Sequence, residues 1–304
     1  MTGRPGKGGY GEGRLTRLAR FARGSHPPLP ALVFAALWAY GVTGLFAALD
    51  PRVAGWRPGA GAAIAAVTLY LDLLLMRALD DIRDLDYDRR FHPGRPLASG
   101  AVREGDLAVL YGAGAAALVL LNAAWPWRAG ILVVQLGYAA GAIAVFRRWG
   151  RPPADDLFAS LLVSLPAPVL LHLYLYAGHL DAAGLPPDAS GAVAVAVVVL
   201  AAGHAELAGK LTRAPRAGER TYTATLGVTG TAALAVAVPV LSAVVLVAFS
   251  QAPPGWTPAA LVPLAAPAAA AWSFSRGRPR WPRPAPALYM LLSFASYLVL
   301  GLAR

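Results

Sequence analysis

The sequence predicts an all-α integral membrane protein built as a bundle of nine transmembrane helices. Composition is the first reason. Hydrophobic residues make up 57% of the 304 residues and charged residues only 14%, against roughly 25% charged in a soluble domain. Mean hydropathy is +0.52. The apolar stretches are also continuous and rich in Ala, Leu and Val, whereas membrane β-strands alternate in polarity over about ten residues. Finally, nine stretches are long enough to cross a bilayer: about 29–49, 59–79, 106–124, 129–146, 157–177, 191–209, 228–250, 257–275 and 285–302.

Taken in order, the first 28 residues are Gly- and Arg-rich and are expected to be irregular up to about Glu12. Arg14, Arg17, Leu18 and Phe21 have the spacing of a short amphipathic helix on an anionic leaflet. The first apolar stretch lacks a following small-residue cleavage site and is long enough to span, so it reads as a helix and not as a signal peptide. The chain thus divides into a basic segment, 1–28, and a membrane domain, 29–304.

A cytoplasmic N-terminus places all but four of the 27 basic residues on the cytoplasmic side, the exceptions being Arg52, Arg57, Arg128 and Arg304. This is the asymmetry that orients membrane proteins. The net charge of +11 therefore reads as topology, and no nucleic-acid partner is expected. The expected setting is the cytoplasmic membrane of the cell, crossed many times, with the bilayer as the surrounding partner. The outer loops are short and carry the interfacial aromatics Trp56, Trp125, Trp127 and Trp256. With no cysteine in the chain, thiol catalysis, disulfides and thiolate metal sites are excluded.

Several polar residues fall within or beside the spans. Asn122 and Gln135 suit interhelical hydrogen bonds and His172 a hydrogen bond inside the bundle. Asp155 and Asp156 follow Pro152 and Pro153 and mark a helix N-terminus. Asp72 lies two turns deeper than Asp80 on the second span. A carboxylate at that depth is either paired with a polar neighbour or is a functional group that stabilises a cation or removes a proton.

The two longest cytoplasmic segments between spans, about 80–105 and 210–227, hold the reactive residues, so the active face is expected to be cytoplasmic. Five of the 16 acidic residues lie between Asp80 and Asp88, in DDIRDLDYD. Asp81, Asp84 and Asp88 are spaced by three and four residues, which on a helix places them on one face. Such a cluster at the edge of hydrocarbon is costly unless a cation neutralises it. Mg²⁺ favours hard oxygen ligands and is commonly held by one or two carboxylates, waters and substrate phosphates. Arg89, Arg90 and Arg95 follow and are suited to clamp phosphate. The expectation is an Mg²⁺–diphosphate site at a membrane face.

At this point the segment resembles the first Asp-rich motif of the UbiA superfamily of intramembrane prenyltransferases. The matching residues are Asp80, Asp81, Asp84 and Asp88, followed by Arg95, Pro96, Leu97 and Gly100. The resemblance implies a nine-helix bundle with a central apolar cavity, cytoplasmic cap loops after the second and sixth helices, Mg²⁺ as cofactor, and Asp80, Asp81, Asp84 and Asp88 as catalytic or metal-holding residues. It further implies an isoprenyl diphosphate as substrate and a lipid-soluble acceptor, such as an electron-rich aromatic ring.

The second segment, HAELAGKLTRAPRAGERTYTATLG, departs from that family's pattern. Where a second Asp-x-x-x-Asp motif is usual, Glu206 is the only carboxylate before Glu219. Glu206 and Lys210 have the spacing of an ordinary helix ion pair. In the sharper reading Lys210 and Arg213 contact the diphosphate, with Glu206 orienting Lys210. Ionising an allylic diphosphate also needs a water-free apolar cavity with aromatic faces toward the cation; Tyr70, Tyr138, Phe146, Tyr174 and Tyr222 are available. Some members of the superfamily cyclise the cation instead of transferring it, so a membrane terpene cyclase is the alternative. A transporter is weaker, because no internal repeat is visible.

Overall fold

The computed structural model describes residues 13–153 and 156–304. The expectations for the chain up to Glu12 and for Asp155 lie outside them. Of the described residues, 77% are helical, and among them an isolated bridge between Thr212 and Arg280 is the only extended pairing. Nine helical segments among the described residues are long and apolar enough to cross a membrane.

The elements are α1 (Arg14–Ser25), α2 (Pro28–Leu49), α3 (Ala60–Arg83), α4 (Leu85–Phe91), α5 (Glu104–Leu121), α6 (Pro126–Trp149), α7 (Leu157–Ser164), α8 (Pro166–Ala183), α9 (Ala189–Gly209), α10 (Thr223–Phe249), α11 (Thr257–Leu261), α12 (Ala265–Ser275) and α13 (Pro284–Leu302). The fifth span departs from the single helix the sequence predicts. It is broken into α7 and α8 at Leu165, because Pro166 and Pro168 lack the N–H groups that would continue the ladder. The eighth span is likewise irregular. Two 3-10 turns, Pro254–Trp256 and Val262–Leu264, flank α11 where prolines recur at 254, 258, 263 and 267.

α2 and α13 form the centre of the bundle and cross at backbone distance. A Cβ added at Gly301 would stand 2.6 Å from the Gly44 Cα, and one at Gly44 2.8 Å from the Tyr297 carbonyl oxygen. Small residues allow this approach, which in lipid supplies packing energy that no hydrophobic effect between helices can. Around this pair Val42, Leu45, Phe46, Tyr174, Val197 and Phe294 are buried together. By contrast Leu120, Val133, Val134 and Val244 on α5, α6 and α10 are exposed, as lipid-facing side chains must be.

α10 shows how the sequence resolves two backbone problems. Its first turn is separated from the long helix by Gly227 at φ 69°, ψ 170°, a conformation open to glycine and strained for other residues. Further along, Pro239 lies inside the helix and removes the donor that would bond the Ala235 carbonyl. The freed oxygen accepts a hydrogen bond from His204 Nδ1 on α9, at 2.6 Å and fully buried. α1 is the expected amphipathic helix, but its apolar face is taken up by the protein. Phe21 is buried with Ala78, Leu97, Val102 and Leu107, and Arg17 is held 2.6 Å from Asp106 at the start of α5.

Candidate functional site

Antiparallel helices bring the two charged segments to one end of the bundle. There the chain turns from α3 into α5, from α9 into α10 and from α12 into α13. Side chains tie the three turns together. Arg220 Nη1 reaches Asp84 Oδ1 at 2.9 Å, Arg90 donates to the Ala217 carbonyl at 3.1 Å, and Arg280 pairs with both oxygens of Glu219 at 2.6 and 2.9 Å.

The carboxylates do not form the shared helix face that their spacing predicts. α3 stops at Arg83, Asp84 adopts φ −96°, ψ 13°, and α4 begins at Leu85. This break turns the chain and splits the cluster. Asp80 and Asp84 face a cavity of about 860 Å³ and are held by Arg83, at 3.3 and 2.9 Å respectively. Asp81 and Asp88 are buried behind them. Asp81 lies 2.5 Å from Arg77, accepts from Ser25 Oγ at 3.2 Å and stands 3.9 Å from Arg95. Asp88 lies 2.6 Å from Arg95 and 3.1 Å from His92 Nδ1. The inner pair therefore supports Arg95, which lines the cavity.

Lys210 also lines the cavity. The helix ion pair is formed: Lys210 Nζ contacts Glu206 Oε1, which also accepts the Tyr222 hydroxyl at 2.8 Å. Glu206 and Tyr222 stand behind Lys210 and do not line the cavity. Arg89 and Arg213 are turned elsewhere. Arg89 pairs with Asp86 at the surface, 3.2 Å away; Arg213 donates to the Phe274 carbonyl at 3.2 Å and stacks on the Phe274 ring. In their stead the cavity mouth gathers Arg83, Arg220, Arg280 and Arg283, none of which the sequence singled out for chemistry. Arg220 stands beside the TYTATLG stretch and Arg83 inside the acidic one. Arg280 and Arg283 lie in a loop without carboxylates, where basic residues read only as topology.

The charges shift one another. Burial pulls the Asp84 carboxyl up, but hydrogen bonds and charge from Arg83 and Arg220 outweigh it and hold the group below its ordinary range. Hydrogen bonds from Arg280 bring the Glu219 carboxyl down to about 2. Both groups are therefore carboxylates at neutral pH.

Below the charged mouth the walls are apolar and aromatic, with Trp38, Leu73, Met76, Tyr138, Phe146 and Leu171. Asp72, Gln135 and Ser164 are polar residues among these deeper walls. Asp72 is fully buried with neither carboxylate oxygen hydrogen-bonded. His172 accepts from Trp38 Nε1 at 3.4 Å, and Asn122 bridges Thr68 and Tyr174; both serve the bundle as expected. Asp156 caps α7 by accepting from the Ala159 N–H.

No group of three or more His, Asp or Glu side chains among the described residues is placed to hold a metal ion. Mg²⁺ asks less of a protein when it binds together with phosphate: one or two carboxylates, the rest water and substrate oxygens. Asp80 and Asp84, side by side on the cavity wall, fit that requirement. Asp81 and Asp88, enclosed by arginines and His92, do not. Comparison of the chain with family models, curated proteins and solved structures finds no match.

Proposed function

We propose that this protein is an intramembrane prenyltransferase of the UbiA type, which ionises an isoprenyl diphosphate and transfers the prenyl group to a lipid-soluble, aromatic acceptor. The observation that carries the reading is one cavity with two chemistries. Its mouth combines Asp80 and Asp84 with Arg83, Arg95, Lys210, Arg220, Arg280 and Arg283, and its depth is apolar and aromatic. A diphosphate bearing a long hydrocarbon tail is amphiphilic in the same sense.

In this reading Arg83, Arg95, Lys210 and Arg220 bind and orient the diphosphate oxygens, and Asp80 and Asp84 would hold Mg²⁺ against them. Bound there, Mg²⁺ supplies neutralisation of the charge that develops on the leaving diphosphate. The arginines and lysine supply preorganised charge of the same kind, so part of the role of a second carboxylate motif passes to cations. The apolar walls exclude water, which would otherwise quench the allylic cation. Trp38, Tyr138 and Phe146 offer π faces to it. Asp72, buried in the deeper wall beside Gln135, is placed to orient and deprotonate an acceptor hydroxyl in transfer, and the same carboxylate could take the proton that a cyclised cation must lose.

The test is turnover. Membranes containing the protein are incubated with Mg²⁺ and C10 to C25 allylic diphosphates, with and without a phenolic or quinone-like acceptor, and the extracts are analysed by mass spectrometry. A prenylated product that forms only with acceptor is expected. A cyclic hydrocarbon formed without acceptor would identify a terpene cyclase, and no consumption of any diphosphate would overturn the enzymatic reading.

A further inference from the structure

The opposite end of the bundle holds a second cavity of about 410 Å³, between the 50–59 loop, α3, α6 and α8. Its lining includes Arg52, Arg57, Arg128 and His179 and no carboxylate. Arg52 is neutralised from behind by Asp50 and Asp188, at 2.7 and 3.0 Å. Among the described residues Arg57 bonds backbone carbonyls only, those of Trp56 and Leu302. Arg128 is the unusual member. It is 2% exposed, and among the described residues its partners are uncharged: the Tyr174 hydroxyl at 2.5 Å, the Gly61 carbonyl at 3.5 Å, and the faces of Trp125 and Tyr174. Its Nε has no acceptor, and the Nε2 of buried His179, on the same wall, stands 3.9 Å from Asp50 Oδ2, beyond hydrogen-bond reach.

A guanidinium enclosed at the membrane boundary without a counter-charge carries an uncompensated desolvation cost. The Tyr174 hydroxyl that accepts from it is itself committed to Asn122, which is bonded to Thr68, so this network fixes Arg128 in place without neutralising it. Arg57 and Arg128 leave two positive charges on one cavity with donors unspent, and planar guanidinium groups favour phosphate oxygens. We propose that this cavity is a second anion site, independent of the cavity at the charged end, and that it takes a phosphate group. The group is either the headgroup of an anionic lipid in the adjacent leaflet or free phosphate.

The full chain and its Arg128→Gln and Arg57→Gln variants are purified in neutral detergent. Arg57→Gln removes a surface charge with backbone partners only, so it keeps the test open if Arg128→Gln folds poorly. Native mass spectrometry after reconstitution in phosphatidylcholine with phosphatidylglycerol counts retained anionic lipid. Thermal unfolding in lipid-free detergent, with inorganic phosphate against chloride at equal ionic strength, reads the free anion. Each variant should bind about tenfold or more weakly than the unmodified chain, the size of one charge-assisted hydrogen bond. Arg148→Gln, at an exposed arginine that lines neither cavity, should match the unmodified chain. Phosphatidylglycerol retention that the two variants lose, without a phosphate effect, assigns a lipid headgroup, and a phosphate effect alone that they lose assigns the free anion. Equal binding by the unmodified chain, Arg57→Gln and Arg128→Gln, or an equal loss in Arg148→Gln, would overturn the proposal.

Discussion

Asp84 and Asp86 are two residues apart, yet their surroundings differ completely. Asp84 lines the cavity and is gripped by Arg83 and Arg220, whereas the Asp86 side chain is 96% exposed. Asp84→Asn should therefore raise the Mg²⁺ concentration needed for half-maximal turnover by about tenfold or more. Asp86→Asn should stay within about twofold, as surface substitutions do. A Mg²⁺ titration of both variants checks this, and equal effects would remove Asp84 from the site. Lys210 is the sharper case because its ion pair with Glu206 is compatible with both a structural and a chemical role. If it meets the diphosphate, Lys210→Ala should lower kcat by about 10²–10³-fold, as loss of one preorganised donor does, and Glu206→Gln should cost less. Near-normal turnover by the Lys210→Ala protein would leave the lysine a helix-surface role worth about 0.2–0.5 kcal/mol. Which acidic residues share a site was only half legible in the sequence. Residue types and their position at a span's end pointed to a segment that lines the large cavity, but spacing by three and four assumes an unbroken helix. The helix breaks at Asp84, whose carboxylate is held by its neighbour Arg83 and by Arg220 from a distant turn, and that second contact is not contained in the local pattern.

At the scale of elements, apolar runs were sufficient to place the nine spans, because in lipid a helix is the one open-chain structure that satisfies its own backbone. Span ends moved by a few residues, and the fifth and eighth spans are irregular at prolines that were visible in the sequence. Interhelical compensation was not legible. His204 reads as an isolated histidine on α9, and its partner carbonyl exists as an acceptor only because Pro239 sits four residues beyond Ala235 on α10. A double-mutant cycle follows from this arrangement. His204→Leu should cost about 1–3 kcal/mol, the penalty of a buried carbonyl left unpaired, measured by unfolding in detergent. In a Pro239→Ala background the restored N–H takes the Ala235 oxygen, and the His204→Leu penalty should shrink. An equal penalty in both backgrounds would show that His204 contributes by packing against Tyr289 and Trp281 and not by this hydrogen bond.

At the scale of the whole molecule, the organising feature is a difference between its two ends. One gathers both acidic and basic side chains from three turns above a large aromatic-walled cavity; the other keeps a smaller cavity whose lining holds three arginines and His179 but no carboxylate. The charge asymmetry was legible from the basic residues, and so was the meeting of the two charged segments at one end of the bundle. That the third turn, with Arg280 and Arg283, joins the first two was not, because long-range ion pairs leave no local signature. The central claim is that an isoprenyl diphosphate lies with its head among these charges and its tail along Trp38, Tyr138 and Phe146. Photolabelling with an isoprenyl diphosphate carrying a diazirine near the tail end, followed by peptide mass spectrometry, reads that position directly. Label should map to the cavity walls of α2, α3, α6 and α8, and unlabelled isoprenyl diphosphate should compete it away. Label confined to the outward faces of α5 and α10, or label that no diphosphate displaces, would contradict the account.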